Sequence, residues 1–275
     1  LFDRSTIERM LDRFETLLGG IVAQPNAPIS QLPLMDKAER QHVLRDFNNT
    51  ALPVEALRVH ELVERQVAAT PDAVALVMDG VALSYAELNA CANRLARHLV
   101  TLGAGPDQLV GISCERSIDM AASVLAVLKS GAAYVPIDPN YPAERVGYML
   151  EDSRAPVLLT QTALLDRLPE QNARNIAVVC LDTFDFASGD ASNLGAQGES
   201  VYAIYTSGST GLPKGVELTH AGLSNLLQWQ SAQPGLNNPA RTLQFASLSF
   251  DVTFQELFTT WAQGGTVVLV DEELR

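Results

Sequence analysis

The chain is poor in cysteine, and its few thiols exclude two kinds of structural support. Only three cysteines, Cys91, Cys114 and Cys180, occur among 275 residues, and they are widely spaced. An odd and dispersed set argues against a disulfide framework or a zinc site and favours a reducing compartment, so we expect a cytoplasmic protein. The four histidines show no metal-ligand spacing, and we assign no protein-held metal.

Basic residues and long apolar runs are also scarce, which excludes two kinds of partner. Nineteen lysines and arginines against 32 aspartates and glutamates give a net charge of −13. This leaves little basic surface for a nucleic-acid backbone. Apolar runs such as Met120–Leu128 are far shorter than a membrane span. With 47% hydrophobic residues the chain can still form a substantial core. We therefore expect a folded protein that binds neither nucleic acid nor a membrane.

The segment 206–215, TSGSTGLPKG, concentrates groups that bind phosphate. Its glycines allow consecutive backbone N–H groups to turn toward one anion. Its hydroxyls add donors, and its lysine adds a mobile positive charge. The residues that we expect to contact the phosphates are Thr206, Ser207, Gly208, Ser209, Thr210, Gly211, Lys214 and Gly215. The segment predicts a polyphosphate-binding loop.

Two other interpretations of this loop are weaker. A flexible linker is the usual meaning of a Gly/Ser-rich stretch, but apolar residues that favour strands precede it at 201–205 and follow it at 216–218. A Walker-type P-loop requires Gly-Lys-Ser/Thr at the start of a helix. Here Pro213 precedes the lysine, glycine follows it, and the exit is extended. The spacing excludes the Walker motif but not nucleotide binding.

The first 53 residues differ in pattern from the rest. Apolar residues at helical spacing predict a helix over 7–21, with a capping box from Ser5 to Glu8 and an end at Gly19-Gly20. Residues 22–53 are rich in proline and asparagine and predict a linker with one short helix near 38–46.

From about Val54, helices and strands alternate. We predict strands at 73–77, 109–113, 135–137, 157–160, 176–181, 201–205, 243–247 and 266–270. Helices are predicted at 59–68, 84–99, 118–129, 142–152, 161–168, 220–231 and 252–262, with Ser84 and Glu87 forming a capping box. Such alternation predicts an α/β fold of mostly parallel sheets flanked by helices. Ligands in these folds bind beyond the carboxyl ends of strands, and the glycine-rich loop begins at such an end.

Four ordered segments carry a family resemblance: LSYAEL at 83–88, LKSGAAYVPID at 128–138, YAIYTSGSTGLPKG at 202–215 and FDVT at 250–253. They resemble the first core motifs of nonribosomal peptide synthetase adenylation domains, members of the AMP-binding, adenylate-forming superfamily. The resemblance covers 54–275 and implies the large N-terminal lobe of those enzymes. Residues 1–21 resemble the tail of a condensation domain, and 22–53 the linker that follows it.

The resemblance implies that an amino acid is activated as an aminoacyl-adenylate with ATP and Mg²⁺. The acid then passes to the phosphopantetheine thiol of a separate, downstream carrier domain, while a condensation domain lies upstream. Lys214 and Thr206 would be the catalytic contacts to the phosphates, within the loop that binds the nucleotide. Because the phosphates supply much of its coordination, Mg²⁺ would arrive with ATP.

The resemblance also points to residues that bind the amino acid. Asp251 matches the aspartate that holds the substrate's α-amino group, although a carboxylate at this position could also cap the helix that follows. Phe250, Val252 and Gln255 complete the substrate-binding set, and the series Asp, Val, Gln resembles proline-selecting pockets. His220 matches a histidine common in the superfamily, which lines the nucleotide or acyl site or has a structural role.

Two alternatives remain. One is an acyl- or aryl-CoA ligase of the same superfamily, which Asp251 disfavours because its charge would repel a plain acid. The other is a non-catalytic fragment that acts only as an interdomain packing module. The later motifs of the family would lie beyond Arg275, so we expect this chain to hold only the N-terminal part of the domain and to be inactive alone.

Overall fold

The computed structural model describes residues 1–169, 176–207 and 212–271. The chain divides into two compact units, Leu1–Pro53 and Val54–Arg275. Within the described ranges, no helix combines the length and apolar composition needed to cross a bilayer.

The first unit contains two helices, α1 (Arg4–Ala23) and α2 (Lys37–Gln41), and a π-helical turn continues α2. Two features predicted for α1 are wrong. Its N-cap is Asp3 and no side chain caps it, while Glu8 accepts a hydrogen bond from Arg4 Nε at 2.7 Å. The two glycines do not end the helix.

Gly20 serves close packing instead of helix termination. A Cβ atom on Gly20 would lie 2.5 Å from Cδ of Pro33, so only glycine lets that proline approach the helix. The helix continues, and Gln24 N–H donates to Gly20 O at 2.9 Å. Arg13 donates to Glu39 Oε1 at 2.6 and 3.0 Å, which ties α1 to α2.

The second unit alternates helices and strands as predicted. Its longer helices are α3 (Val59–Ala69), α4 (Tyr85–Thr101), α5 (Ile118–Lys129), α6 (Ala143–Ser153), α7 (His220–Ala232) and α8 (Asp251–Ala262). Its strands are β1 (Val74–Met78), β2 (Val81–Ser84), β3 (Leu109–Ile112), β4 (Ala133–Pro136), β5 (Val157–Thr160), β6 (Ala177–Cys180), β7 (Ser200–Thr206), β8 (Lys214–Thr219), β9 (Arg241–Leu243) and β10 (Thr266–Val268). The helix predicted at 161–168 is a 3₁₀ helix, Thr162–Arg167.

Two sheets organise this unit. One has the strand order β2-β1-β10-β9, and the other has the order β6-β5-β3-β4-β7-β8. All described pairings are parallel except those of the edge strands β2 and β8, which pair antiparallel with β1 and β7. This arrangement confirms the expected α/β class.

The strand predicted at 243–247 is wrong in position, because β9 ends at Leu243. Side chains bind the backbone that follows. Ala246 N–H donates to both oxygens of Glu256 at 3.2 Å, and Arg116 donates to the carbonyls of Phe245 and Ala246 at 3.0 and 3.3 Å. The backbone groups of residues 245 and 246 therefore bond to these side chains and do not extend β9, although the sequence around them is apolar.

One hydrophobic core contains residues of both sheets, and α5 is buried from Met120 to Lys129. Trp261 of α8 is fully buried and donates to Ala75 O at 3.0 Å. The predicted capping box of α4 is confirmed, because Glu87 N–H donates to Ser84 Oγ at 3.2 Å and Ser84 N–H donates to Glu87 Oε2 at 2.8 Å. A second, smaller cluster lies beneath α6.

Candidate active site

The glycine-rich segment connects the two strands of an antiparallel hairpin. Strands β7 and β8 flank it, and Thr206 pairs directly with Lys214 across the two strands. The predicted contacts Gly208, Ser209, Thr210 and Gly211 lie outside the described residues. The strand that leaves the loop confirms the extended exit predicted from the sequence.

The described part of the loop presents donors and positive charge to solvent. Thr206, Ser207, Lys214 and Gly215 are all exposed. Among the described residues no carboxylate forms an ion pair with Lys214. An exposed ammonium beside two hydroxyls fits a polyphosphate, which requires donors and positive charge but no competing acid.

Helix α6 contacts both ends of the loop. Tyr148 Oη donates to Pro213 O at 3.1 Å, and Tyr205 Oη donates to Asp152 Oδ2 at 2.6 Å. The rings of Tyr148 and Tyr205 meet edge to face, with centroids 6.5 Å apart. Burial, and then the hydrogen bond and charge of Asp152, raise the pKa of Tyr205 above its ordinary value.

Asp251 stands at the beginning of α8. The helix starts at Asp251 itself, with Phe250 as N-cap and no side-chain cap bond, so the capping alternative is not observed. The Asp251 carboxylate is exposed and lies near Tyr202 of β7. Burial of Tyr202, and then the negative charge of Asp251, raise the pKa of Tyr202 to about 12.

The other predicted substrate contacts lie on the same end of α8. Phe250 and Val252 are exposed. Gln255 is partly buried and accepts a hydrogen bond from Gln230 Nε2 of α7 at 3.2 Å. Gln230 Oε1 in turn accepts from Thr259 Oγ1 at 2.8 Å, so α7 holds the carboxamide of Gln255 in one orientation.

Strand β7 connects the two groups of predicted site residues. Tyr202, beside Asp251, precedes Thr206 by four residues, which corresponds to roughly 13 Å along a strand. The structure thus brings the described part of the loop and the start of α8 to one strand.

His220 faces the core. It is 4% exposed, and its Nδ1 accepts a hydrogen bond from Val59 N–H of α3 at 3.1 Å. Burial, and then the positive charge of Arg58, lower the pKa of His220 to about 4. These contacts agree with the structural role that the sequence left open.

The sequence reasoning missed Tyr148, Asp152 and Arg116. Tyr148 and Asp152 are four residues apart, so they lie on one face of α6, and this spacing was the available signal. Arg116 donates to Gln244 Oε1 at 2.6 Å and to carbonyls of the segment before α8, but nothing in the local sequence indicates those partners. In the described ranges no group of three histidine, cysteine or acidic side chains could hold a metal ion.

Comparison with known proteins defines the class. Residues 63–275 match the family of AMP-binding enzymes, and the chain belongs to that family. It is similar over nearly its whole length to nonribosomal peptide synthetases. It is 41% identical over 276 residues to tyrocidine synthase 3 of Brevibacillus parabrevis, a match that covers 99% of this chain and 4% of the synthase. It is 41% identical over 282 residues to the chondramide synthase cmdD of Chondromyces crocatus, covering 99% of this chain and 7% of the synthase. The chain therefore spans only a small part of each relative.

Solved structures give the same assignment. The nonribosomal peptide synthetase FmoA3 in its AMPPNP-bound form superposes with a TM-score of 0.83 at 33% identity. The match covers 98% of this chain and 29% of FmoA3. A second form of FmoA3, bound to α-methyl-L-serine-AMP, matches with a TM-score of 0.82 at 32% identity. The expected fold of the adenylate-forming N-terminal lobe is therefore confirmed.

Proposed function

We propose that residues 54–275 contribute the phosphate-binding loop and the substrate-amine contact of an amino-acid adenylation site in nonribosomal peptide synthesis. The observation that carries this proposal is the cross-strand pair of Thr206 and Lys214 at the mouth of the glycine-rich loop. The relationship to FmoA3, which is solved with AMPPNP and with an aminoacyl-adenylate, supports it.

In this reaction an oxygen of the amino-acid carboxylate bonds to the α-phosphorus of ATP, and the bond from that phosphorus to the departing pyrophosphate breaks. The protein's part is to orient the reactants and neutralise charge. The Lys214 ammonium offsets the negative charge of the leaving phosphates. The hydroxyls of Thr206 and Ser207 donate hydrogen bonds to phosphate oxygens, together with the predicted contacts from Gly208 to Gly211.

The substrate's ammonium group binds Asp251 in this proposal. The exposed carboxylate at the start of α8 suits a charge-assisted hydrogen bond to an amine and disfavours a plain acid. Val252 and the fixed carboxamide of Gln255 line the side-chain pocket, with Phe250 next to them. We propose proline as the amino acid, since these residues resemble proline-selecting pockets. A non-hydrolysable prolyl-adenylate analogue would then bind more tightly than analogues that carry other amino acids.

The same proposal covers the remaining assignments. Residues 1–21 form a condensation-domain tail, 22–53 a linker and 54–275 the adenylation part, and the division between Pro53 and Val54 supports that boundary. A carrier domain's phosphopantetheine thiol accepts the activated acid. Mg²⁺ enters with ATP, whose phosphates provide oxygen ligands. The free thiols of Cys91, Cys114 and Cys180 agree with a cytoplasmic location.

Lys214→Ala tests the phosphate-binding role. The substitution removes a charged donor, and we expect it to weaken binding of Mg²⁺-AMPPNP about 10- to 100-fold in isothermal titration calorimetry. Lys37→Ala is the matched control, because Lys37 is an exposed lysine of the first unit. Equal affinities of the Lys214→Ala and Lys37→Ala variants would contradict the proposal.

A further inference from the structure

Tyr148 and Asp152 form hydrogen bonds on either side of the glycine-rich loop. Helix α6, which carries them, is held by Val146, Met149 and Leu150, all of which are nearly or fully buried in the smaller core cluster. That cluster includes Val135 of β4, Leu158 of β5 and Ala203 of β7. Because packed cores resist displacement, α6 is a fixed support beside the loop.

Tyr148 acts on the residue that precedes Lys214. Its hydroxyl donates to the carbonyl of Pro213 at 3.1 Å. The Pro213 carbonyl and the Lys214 nitrogen belong to one planar peptide group, so fixing the carbonyl also fixes the plane in which the lysine backbone begins. Pro213 has a restricted φ, which removes a further degree of freedom.

Asp152 acts on the opposite strand through Tyr205. The Tyr205 hydroxyl donates to Asp152 at 2.6 Å, and Tyr205 immediately precedes Thr206 in the chain. Across the hairpin, Tyr205 pairs with Gly215, and a Cβ atom on Gly215 would lie 3.4 Å from the tyrosine ring. The ring therefore lies against the glycine backbone, and one helix contacts both ends of the loop.

We infer that Tyr148 and Asp152 are positioning residues that hold Thr206 and Lys214 in register for the phosphates beyond the α-phosphate. This inference rests on the proposed function, because it supposes that the loop binds those phosphates. Both residues act through the loop and not by contact with the nucleotide.

The test compares Tyr148→Phe with Tyr141→Phe. Tyr141 also packs in the smaller cluster, and in the described part of the chain its hydroxyl forms no hydrogen bond. We expect Tyr148→Phe to speed hydrogen–deuterium exchange at Ser207 and Lys214–Val216 in the nucleotide-free protein, with exchange in β4 unchanged. Loss of one hydrogen bond should weaken Mg²⁺-AMPPNP binding about 2- to 10-fold and leave AMP binding unchanged, because AMP lacks the outer phosphates. Asp152→Asn should act in the same direction.

The outcomes separate this inference from the proposed function. Loop exchange and AMPPNP affinity equal to those of Tyr141→Phe would overturn the positioning role, even if the unsubstituted protein binds AMPPNP. A parallel loss of AMP binding or faster exchange in β4 would also overturn it, since both indicate general destabilisation. Faster loop exchange in a protein that binds no AMPPNP would show that Tyr148 orders the loop and would contradict the proposed function.

Discussion

In the proposed site, Asp251 is the residue that distinguishes an amino-acid substrate from a plain carboxylic acid. Its carboxylate is exposed and the described structure gives it no capping role, so its negative charge is available to an ammonium group. Asp251→Asn keeps the shape and removes the charge. We expect affinity for a non-hydrolysable aminoacyl-adenylate analogue to fall at least about 10-fold, which is the loss of one charge-assisted hydrogen bond.

The comparison that isolates this effect is AMP, which lacks the α-ammonium group of the aminoacyl-adenylate. Its affinity should be the same in Asp251→Asn and in the unsubstituted protein, whereas a shared loss would indicate damage to the nucleotide site. Asp12→Asn, an exposed aspartate in α1, serves as a charge control.

At the scale of single residues, the sequence predicted which side chains carry polar chemistry better than it predicted how residues pack. The exposed positions of Thr206, Ser207 and Lys214 follow from residue types that need solvent or a ligand. Gly20 shows the limit: its role depends on Pro33, thirteen residues later, and no local rule distinguishes a glycine that ends a helix from one that admits a neighbour. His220 is similar, because only its contact with Val59 reveals which role it has.

Helices α3 and α7 meet through two buried histidines. Val59 N–H donates to His220 Nδ1, so that nitrogen must be unprotonated, and the rings of His60 and His220 are 5.4 Å apart. Burial, followed by electrostatic interactions with His220, Lys129 and Arg58, lowers the pKa of His60 to about 3. Burial, followed by the positive charge of Arg58, lowers the pKa of His220 to about 4.

This helix contact should make the fold sensitive to acid. The unfolded histidines bind protons below their ordinary pKa of about 6.5 while the folded ones remain neutral. The free energy of unfolding is therefore highest above that pH and should fall by up to about 1.4 kcal/mol per pH unit per histidine toward pH ~4. Urea unfolding at pH 7 and pH 5 measures the loss. His60→Gln should reduce the difference between the two pH values, and the exposed-site control His42→Gln should not; equal differences would refute the assignment.

Elements with strong local patterns were predictable, and those set by distant side chains were not. The helix α4 follows from its capping box, and β7 from its apolar run. Strand β2 was missed; it is an edge strand that pairs with β1 after the Asp79-Gly80 turn, whose positive φ angles of 50° and 80° reverse the chain. The error at 243–247 arose because Arg116 and Glu256 bind that backbone from other elements.

Between the two compact units runs a segment without helix or strand, residues 49–58. It is exposed through Ala56. The first residue held by the second unit is Glu55, whose backbone N–H donates to Gln228 Oε1 at 2.8 Å and whose carbonyl accepts from Gln228 Nε2 at 2.9 Å. Limited digestion with proteinase K should therefore yield a persistent product that begins between residues 49 and 54, since exposed irregular backbone is cut first.

N-terminal sequencing of that product gives the answer directly. Gln228→Ala should move the cleavage site toward Arg58, because it removes the two bonds between Gln228 and the Glu55 backbone, whereas Gln233→Ala should leave it in place. A product that begins within α1 or α2 instead would contradict this boundary.

The antiparallel pairing of Thr206 with Lys214 has a consequence for how this family can diversify. Opposed residues in such a hairpin are held about 4.5–5.5 Å apart at their Cα atoms, whatever the intervening residues do. The Cα atoms of the residues that carry the hydroxyl and the ammonium thus keep their spacing when residues 207–212 are replaced, and Pro213 keeps its bond to Tyr148. Under the proposed function, changes at 207–212 alone would alter which anion the loop admits, while the sheet holds the backbone of Thr206 and Lys214 in place.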